Sequence, residues 1–198
     1  MGKDKAKKAL KRKAKLKKRL QVLNQPAKPR MCGPCMACCV HFAVDGLPGY
    51  EGEKPAGEPC KHLTEDEAAR CGSYTDRPVV CGAYKCLWLW DGEANNRLFH
   101  KVDRPDQSGI IFDFTEPNHP ASLALKRPVM IARAVREGAL DTAEANKLFD
   151  RFLDRGTVIA LVRGNMRYEF LASNKRDASI VQAVYAELPK FKVLGENE

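Results

Sequence analysis

No stretch of this 198-residue sequence approaches the roughly 18 uninterrupted apolar residues that a membrane-spanning helix needs. The first 20 residues, MGKDKAKKALKRKAKLKKRL, also lack the apolar stretch of about 7 or more that marks a secretory signal. Together these absences lead us to expect a cytoplasmic chain with reduced thiols. Acidic residues are scarce at the same end: residues 1 to 30 hold 13 of the 34 Lys and Arg but only Asp4 among the 25 Asp and Glu. That tail carries +12, while the 21 basic and 24 acidic residues that remain give −3, so the overall +9 belongs to the tail and not to the body. A Ser-His-Asp set, a Gly-rich phosphate loop and a dinucleotide fingerprint are missing too. DGLPGYEG (Asp45 to Gly52) has the glycines without the strand–turn–helix context. Catalytic residues are therefore not assignable, and a redox or protein-modifying enzyme is an alternative that rests on the cysteines alone.

What is present falls into three parts. Residues 1–30 form a basic tail and linker. Lys3 to Leu23 is built of good helix formers, yet its lysines repel at i,i+4 and its apolar set (Leu10, Leu16, Leu20, Leu23) is thin, so a disordered or nascent helix is expected, ordering on an anionic partner. Asn24 to Arg30 is the linker. Residues 31–90 hold all eight cysteines and five of the twelve prolines, with little sustained periodicity. A segment of that kind needs a fixed centre other than an apolar core, which predicts a metal-binding module. Residues 91–198 read as the α+β remainder of the same compact domain. SGIIFDF (Ser108 to Phe114) is a strand, and PVMIARAV (Pro128 to Val135) is another, with helix as its alternative. A helix follows from a capping box of Asp141 and Glu144, through Ala145, Leu148, Phe149 and Phe152, to a stop at Gly156. TVIALV and MRYEFLA flank an Arg163-Gly164-Asn165 turn as a hairpin, with Met166, Tyr168 and Phe170 on one face. A last helix runs from an Asp177 cap through Ile180, Val181, Val184 and Leu188 to Pro189. The fold class expected is thus α+β: a Cys-rich, metal-centred module on a small antiparallel sheet with helices, preceded by a basic helix or disordered tail.

MCGPCMACC places Cys32, Cys35, Cys38 and Cys39 within eight residues. Two-residue spacers let neighbouring thiolates turn toward one ion or cluster, as at zinc and iron–sulfur sites. If the segment after Pro34 is helical, Cys35 and Cys39 share a face at i,i+4 while Cys38 lies about 100° from Cys39. Adjacent side chains diverge, so Cys38 and Cys39 are expected to have different jobs. Cys60, Cys71, Cys81 and Cys86 make one further four-ligand set by count. Two four-coordinate sites would use all eight thiols, and so would one four-cysteine cluster accompanied by redox or packing cysteines.

CGPCMACC, CKHL (Cys60 to Leu63) and CGSYTDRPVVCGAYKC (Cys71 to Cys86) together resemble the YkgJ-type, or CxxCxxCC, cysteine cluster family, described as a zinc- or iron-chelating domain. The matching positions are the eight cysteines with Leu63, Tyr74, Arg77, Pro78 and Tyr84, over a span of about 55 residues. RPDQSGIIFD (Arg104 to Asp113) resembles a segment that often follows in such proteins, whereas Gly82 stands where many members carry a basic residue. The resemblance implies Cys32, Cys35, Cys38, Cys39, Cys60, Cys71, Cys81 and Cys86 as ligands of an iron–sulfur cluster, with zinc as the alternative, since all-thiolate sets suit both.

His41 and His62 stand beside Cys39 and Cys60 as alternative ligands that eight thiols make unnecessary; His100 and His119 are weaker candidates still. Arg77-Pro78 reads as a helix start with the arginine paired to Asp76 or Glu67, or else as an anion or cluster contact. Trp88 and Trp90 are expected to cover the metal site or join it to the sheet. The 11 basic residues among the first 20 suit salt-sensitive, sequence-independent contact with RNA or DNA, giving a further alternative of a nucleic-acid-associated factor with a zinc-stabilised module. The same tail is short of the apolar anchors that a membrane surface requires.

Overall fold

The computed structural model describes residues 11, 30–66, 70–94, 98–163 and 167–187. The tail expected as a helix or disordered segment therefore falls, apart from Lys11, outside the described residues. So do Glu67, Gly164, Asn165, Met166, Leu188 and Pro189.

The body is organised around a four-stranded sheet in the order β3-β4-β5-β6, with β3 at Ile110–Phe114, β4 at Met130–Ala134, β5 at Ile159–Arg163 and β6 at Arg167–Leu171. β3 and β4 pair antiparallel from Ile110 opposite Ala134 to Phe114 opposite Met130. β5 and β6 pair antiparallel from Ile159 opposite Leu171 to Arg163 opposite Arg167. Both strand readings and the hairpin reading thus hold, and the architecture is α+β. The inner pair β4–β5 is parallel, with Met130 opposite Ile159. Parallel neighbours need a crossover, and a helix between them (residues 143–153) supplies it.

Burial follows from that topology. β5 is an inner strand with layers on both faces, so its first four residues, Ile159 to Val162, are all buried and the stretch reads as a continuous apolar run without alternation. On one face Ile110, Phe112, Met130, Ile159 and Leu161 meet Leu148, Phe149 and Phe152 of the crossover helix, together with Leu87, Trp88 and Leu89. On the other face Ala160, Val129 and Val158 meet Ala121 and Val181, with Tyr168, Phe170 and Tyr185 packed around them. The Tyr168 and Phe170 rings stack with centroids 6.4 Å apart, as the shared-face reading of the hairpin requires.

The described α-helices that border the body, in chain order, are α1 (Ala37–His41), α2 (Val79–Ala83), α3 (Leu87–Ala94), α4 (Pro105–Ser108), α5 (Pro120–Leu125), α6 (Ala143–Leu153) and α7 (Lys175–Glu187), and the two-residue strands β1 (Val44–Asp45) and β2 (Glu53–Lys54) pair antiparallel. Two caps differ from expectation. Asp141 does not cap α6: Thr142 does, its hydroxyl accepting from the Ala145 amide at 3.1 Å, while Asp141 pairs with Arg163. At α7 the side chain of Asn174 accepts from the Asp177 amide at 2.9 Å, and Asp177 itself pairs with Arg127. In each case a neighbouring polar residue, one position later at α6 and three positions earlier at α7, had the correct backbone geometry, and the acid found an arginine from another element. Gly156 does end the α6 segment, in the left-handed region at φ 74°. None of the described helices is long and apolar enough to cross a membrane.

The cysteine segment joins the sheet through α3. Leu87, Trp88 and Leu89 lie in the main core, Cys32 and Cys86 pack against that core, and the Trp88 indole donates to the His100 carbonyl at 2.8 Å. Arg30 locks the start of the described chain to the same helix. It pairs with buried Asp91, donates to the carbonyls of Trp88 and Phe99, and lies over the Trp88 ring. Gly92 faces the Arg30 stem so closely that a β-carbon there would overlap it.

Candidate metal centre

The loops that carry the cysteines are tied by backbone hydrogen bonds, not by long helices or strands. The Cys35 amide donates to the Cys32 carbonyl at 3.0 Å, which turns the CxxC segment back on itself. The Cys60 amide donates to the Cys39 carbonyl at 3.0 Å, and Leu63 bridges Cys71, so three distant cysteines are held side by side. Pro78, extended at φ −51° and ψ 147°, is the cap from which α2 carries Cys81. Cys86 directly precedes α3.

The outcome is a cavity of about 240 Å³ bordered by all eight cysteines. Its remaining wall includes Phe42, Leu47, Lys54, Tyr74, Arg77 and Tyr84. All eight are half-buried free thiols. No group of three or more His, Cys, Asp or Glu among the described residues is gathered closely enough to hold a metal ion. The sulfurs therefore ring a space and do not converge on a point.

The walls are electrostatically uneven. Burial pushes the Cys35 and Cys86 thiols up to about 11 and raises that of Cys32, while the Arg77 guanidinium and the Tyr74 hydroxyl favour the Cys32 thiolate. Burial first, and then Cys39, Cys60 and Cys71, raise Cys81. In the doublet the Cys38 thiol donates to the Cys39 sulfur. That bond holds Cys39 below the usual thiol range, where Lys54 and Arg77 add to it, and together with burial it drives Cys38 well above that range. Two expectations are corrected here. α1 begins at Ala37, so Cys35 precedes the helix and does not share an i,i+4 face with Cys39. The side chains of Cys38 and Cys39 do not diverge: their thiols touch, although the two have opposite proton affinities.

Lys54 had no signal in the sequence, where EGEKPAGE reads as an exposed turn. It is fully buried at 0% exposure, and its ammonium donates to the carbonyls of Pro55 (2.8 Å), Phe42 (2.9 Å) and Val40 (3.3 Å). Val40 and Phe42 lie at the C-terminal end of α1, where backbone carbonyls are short of donors and a cation is favoured. A cation thus sits behind the helix that presents Cys38 and Cys39. Arg77 is not paired with Asp76; it stacks 4.2 Å from the Tyr74 ring centroid and borders the cavity. Of the histidines only His62 borders the cavity, its Nε2 2.9 Å from the Pro48 carbonyl. His119 caps α5 and His100 caps the turn at Lys101–Asp103. Trp88 lies in the core behind the thiols, whereas Trp90 is exposed.

The chemistry of this donor set fits a thiophilic metal or cluster. The thiols are uncrosslinked, one is already held toward its thiolate, and Lys54 and Arg77 supply positive charge against the anionic complex that several thiolates form around a metal.

No protein-family model matches the chain, and no solved structure matches it. A UPF0153 protein of Vibrio cholerae serotype O1 is 33% identical over 64 residues, covering 32% of this chain and 78% of that protein. A UPF0153 protein of Pseudomonas aeruginosa is 39% identical over 51 residues, 25% of this chain and 61% of its own length. Most of the shorter relative's length is thus matched within this longer chain, whose cysteines border a single cavity, and the chain belongs to the UPF0153 family.

Proposed function

We propose that this chain is a cysteine-cluster protein of the cytoplasm that holds an iron–sulfur cluster, or zinc in its place, through Cys32, Cys35, Cys38, Cys39, Cys60, Cys71, Cys81 and Cys86. The observation that carries the reading is that residues separated by as many as 54 positions bring all eight thiols to one cavity of about 240 Å³. Thiols kept only as small apolar filler have no reason to share a surface. A ring of sulfurs around a space favours a multi-atom centre, since a lone zinc needs four donors within about 2.3 Å of one point. Bound metal would give this loop-rich segment the fixed centre that its own apolar residues do not supply. Lys54 and Arg77 offset the negative charge of such a centre, and Leu89, Phe42 and Leu47 keep water from part of its surface.

The test is purification of the full chain without oxygen, followed by elemental analysis, acid-labile sulfide assay and visible absorption. Iron with matching sulfide and a brown chromophore is the expected result, and zinc without sulfide supports the alternative. A stably folded chain that carries neither metal overturns the reading.

A further inference from the structure

The eight cysteines are not equivalent with respect to the core. Behind the large cavity lies a second one of about 20 Å³, bordered by Trp88, Leu89, Pro105 and Ile111. Four of the eight cysteines, Cys32, Cys35, Cys38 and Cys86, border both spaces. These four make the partition between the large cavity and the core. The other four, Cys39, Cys60, Cys71 and Cys81, border only the large cavity, on the side of Lys54, His62 and Arg77.

Most local contacts follow the same division, and those that cross it are at Cys32, which Cys39 and Cys71 also influence, and at the Cys38–Cys39 doublet. Backbone amides of Ala37 and Asp106 donate to the Cys35 sulfur, and those of Leu89 and Trp88 donate to the Cys86 sulfur. Cys32 is tied to Cys35 by the CxxC turn. In the other set, the Cys60 amide is bonded to the Cys39 carbonyl, Cys71 bridges Leu63, and Cys81 lies within electrostatic reach of Cys39, Cys60 and Cys71. This division differs from the one that chain order suggests: Cys86 joins the N-terminal run, and Cys39 leaves it.

We propose that the thiols form two tetrathiolate metal centres, an inner one of Cys32, Cys35, Cys38 and Cys86 against the core and an outer one of Cys39, Cys60, Cys71 and Cys81 at the Lys54–Arg77 wall. The proposal rests on the metal-binding reading above and adds the number of centres and the ligands of each. Four thiolates around a divalent ion leave about two units of negative charge. At the inner centre that charge is met by N–H···S bonds from the backbone, with Arg77 also reaching Cys32, and at the outer centre by Lys54 and Arg77 beside Cys39. The Cys38–Cys39 doublet is then the shared edge, one sulfur serving each side. The ring of sulfurs favours an iron–sulfur cluster at each centre, with zinc ions as the alternative that needs the four thiols to close in, and sulfide analysis separates the two.

The experiment compares metal per folded chain in the wild type, Cys60→Ser, Cys81→Ser, the Cys60→Ser/Cys81→Ser pair and the Cys60→Ser/Cys86→Ser pair, with circular dichroism as the check on folding and a chelator time course as a second readout. Each outer substitution is expected to remove half of the wild-type metal, and the outer pair to remove no more than either alone. The chelator course, biphasic in the wild type, should keep only its slow phase in the outer variants. The cross pair should lose both halves; if it fails to fold, the outer variants alone decide. Loss of all metal or of none from Cys60→Ser or Cys81→Ser, or further loss in the outer pair, overturns the division. A metal-free wild type overturns the underlying reading, and the division with it, whereas a loaded wild type whose variants ignore the grouping overturns the division alone.

Discussion

Replacing Lys54 by Met keeps the aliphatic stem that fills the space behind α1 and removes only the ammonium. The wild-type group is fully buried and gives three hydrogen bonds at 2.8, 2.9 and 3.3 Å, two of them to carbonyls at the end of α1. Hydrogen bonds to a charged group contribute about 1.5–3 kcal/mol each, and a cation at a partly buried helix C-terminus adds up to about 2 kcal/mol. Dehydrating the ammonium costs several kcal/mol in return, so the gross sum is not the net effect. Removing one partner of such an arrangement leaves the others buried and unpaired, which typically costs about 3–5 kcal/mol. Phe42 and Lys54 border the large cavity, where water can take up part of the lost bonding, and this brings the expected loss down to about 2–4 kcal/mol. For a chain of this length that is a fall in Tm of about 5–15 °C. The assay is thermal unfolding followed by circular dichroism, run separately on metal-loaded and metal-stripped protein. Lys54 also favours the Cys39 thiolate. Under the metal-binding reading the loaded protein should therefore lose more stability than the stripped one. A Lys54→Met protein within about 0.5 kcal/mol of wild type in both states would refute the reasoning, because the bonds would then do no more than offset the dehydration.

Asp91→Ala removes the acceptor shared by Arg30 and the amides of Leu98 (2.9 Å) and Phe99 (3.1 Å). A loss of about 3–5 kcal/mol is expected from urea unfolding, and a loss under about 1 kcal/mol would mean that the clamp contributes little. Asp113 has its carboxyl raised by burial, so the native state holds that proton more tightly than the unfolded chain does. Its favourable contribution is complete below the unfolded pKa and is lost as pH rises through the raised native value. Wild type should therefore lose stability relative to Asp113→Asn as pH rises from the unfolded carboxyl's range through the raised native one, and a difference independent of pH would contradict the raised value. Thr142→Ala removes the hydroxyl that caps α6 and should cost about 1 kcal/mol by chemical denaturation, whereas removal of the Asp141 carboxylate should cost less. Deleting residues 1–20 removes 11 basic side chains. If that tail contacts phosphates, filter binding to RNA or DNA should weaken steeply with salt, by a slope of about 0.7–0.9 per phosphate neutralised, and disappear on deletion. Binding unchanged by the deletion would remove the tail from any such role.

The strands, the hairpin and the reach of α6 were legible because each rests on a local pattern. Ile110 to Phe114 and Met130 to Ala134 are short apolar runs, Ala145, Leu148, Phe149 and Phe152 recur at helical spacing, and Gly156 takes a positive φ where a helix must stop. The caps were misread by one to three residues because several polar side chains stood near each start, and only backbone geometry selects among them. The parallel pairing of β4 with β5 has no signature in either strand. It depends on where α6 returns the chain.

Sequence by itself determined that eight thiols matter here, since four of them within eight residues is a density that packing alone does not call for. It also located the excess positive charge in residues 1–30. What only the tertiary structure decided is the company those thiols keep. Chain order assigns Cys86 to a downstream set, but α3 anchors it to the core beside Cys32, and the backbone bond from Cys60 draws Cys39 toward the opposite wall. Lys54 sits in a polar stretch that reads as surface, yet closure of the β1–β2 hairpin over the end of α1 buries its ammonium completely. Spacing constrains neighbours along a chain by bond geometry, whereas which distant groups face one another is set by the packing of elements, and the charge and ligand grouping of this site belong to the second kind.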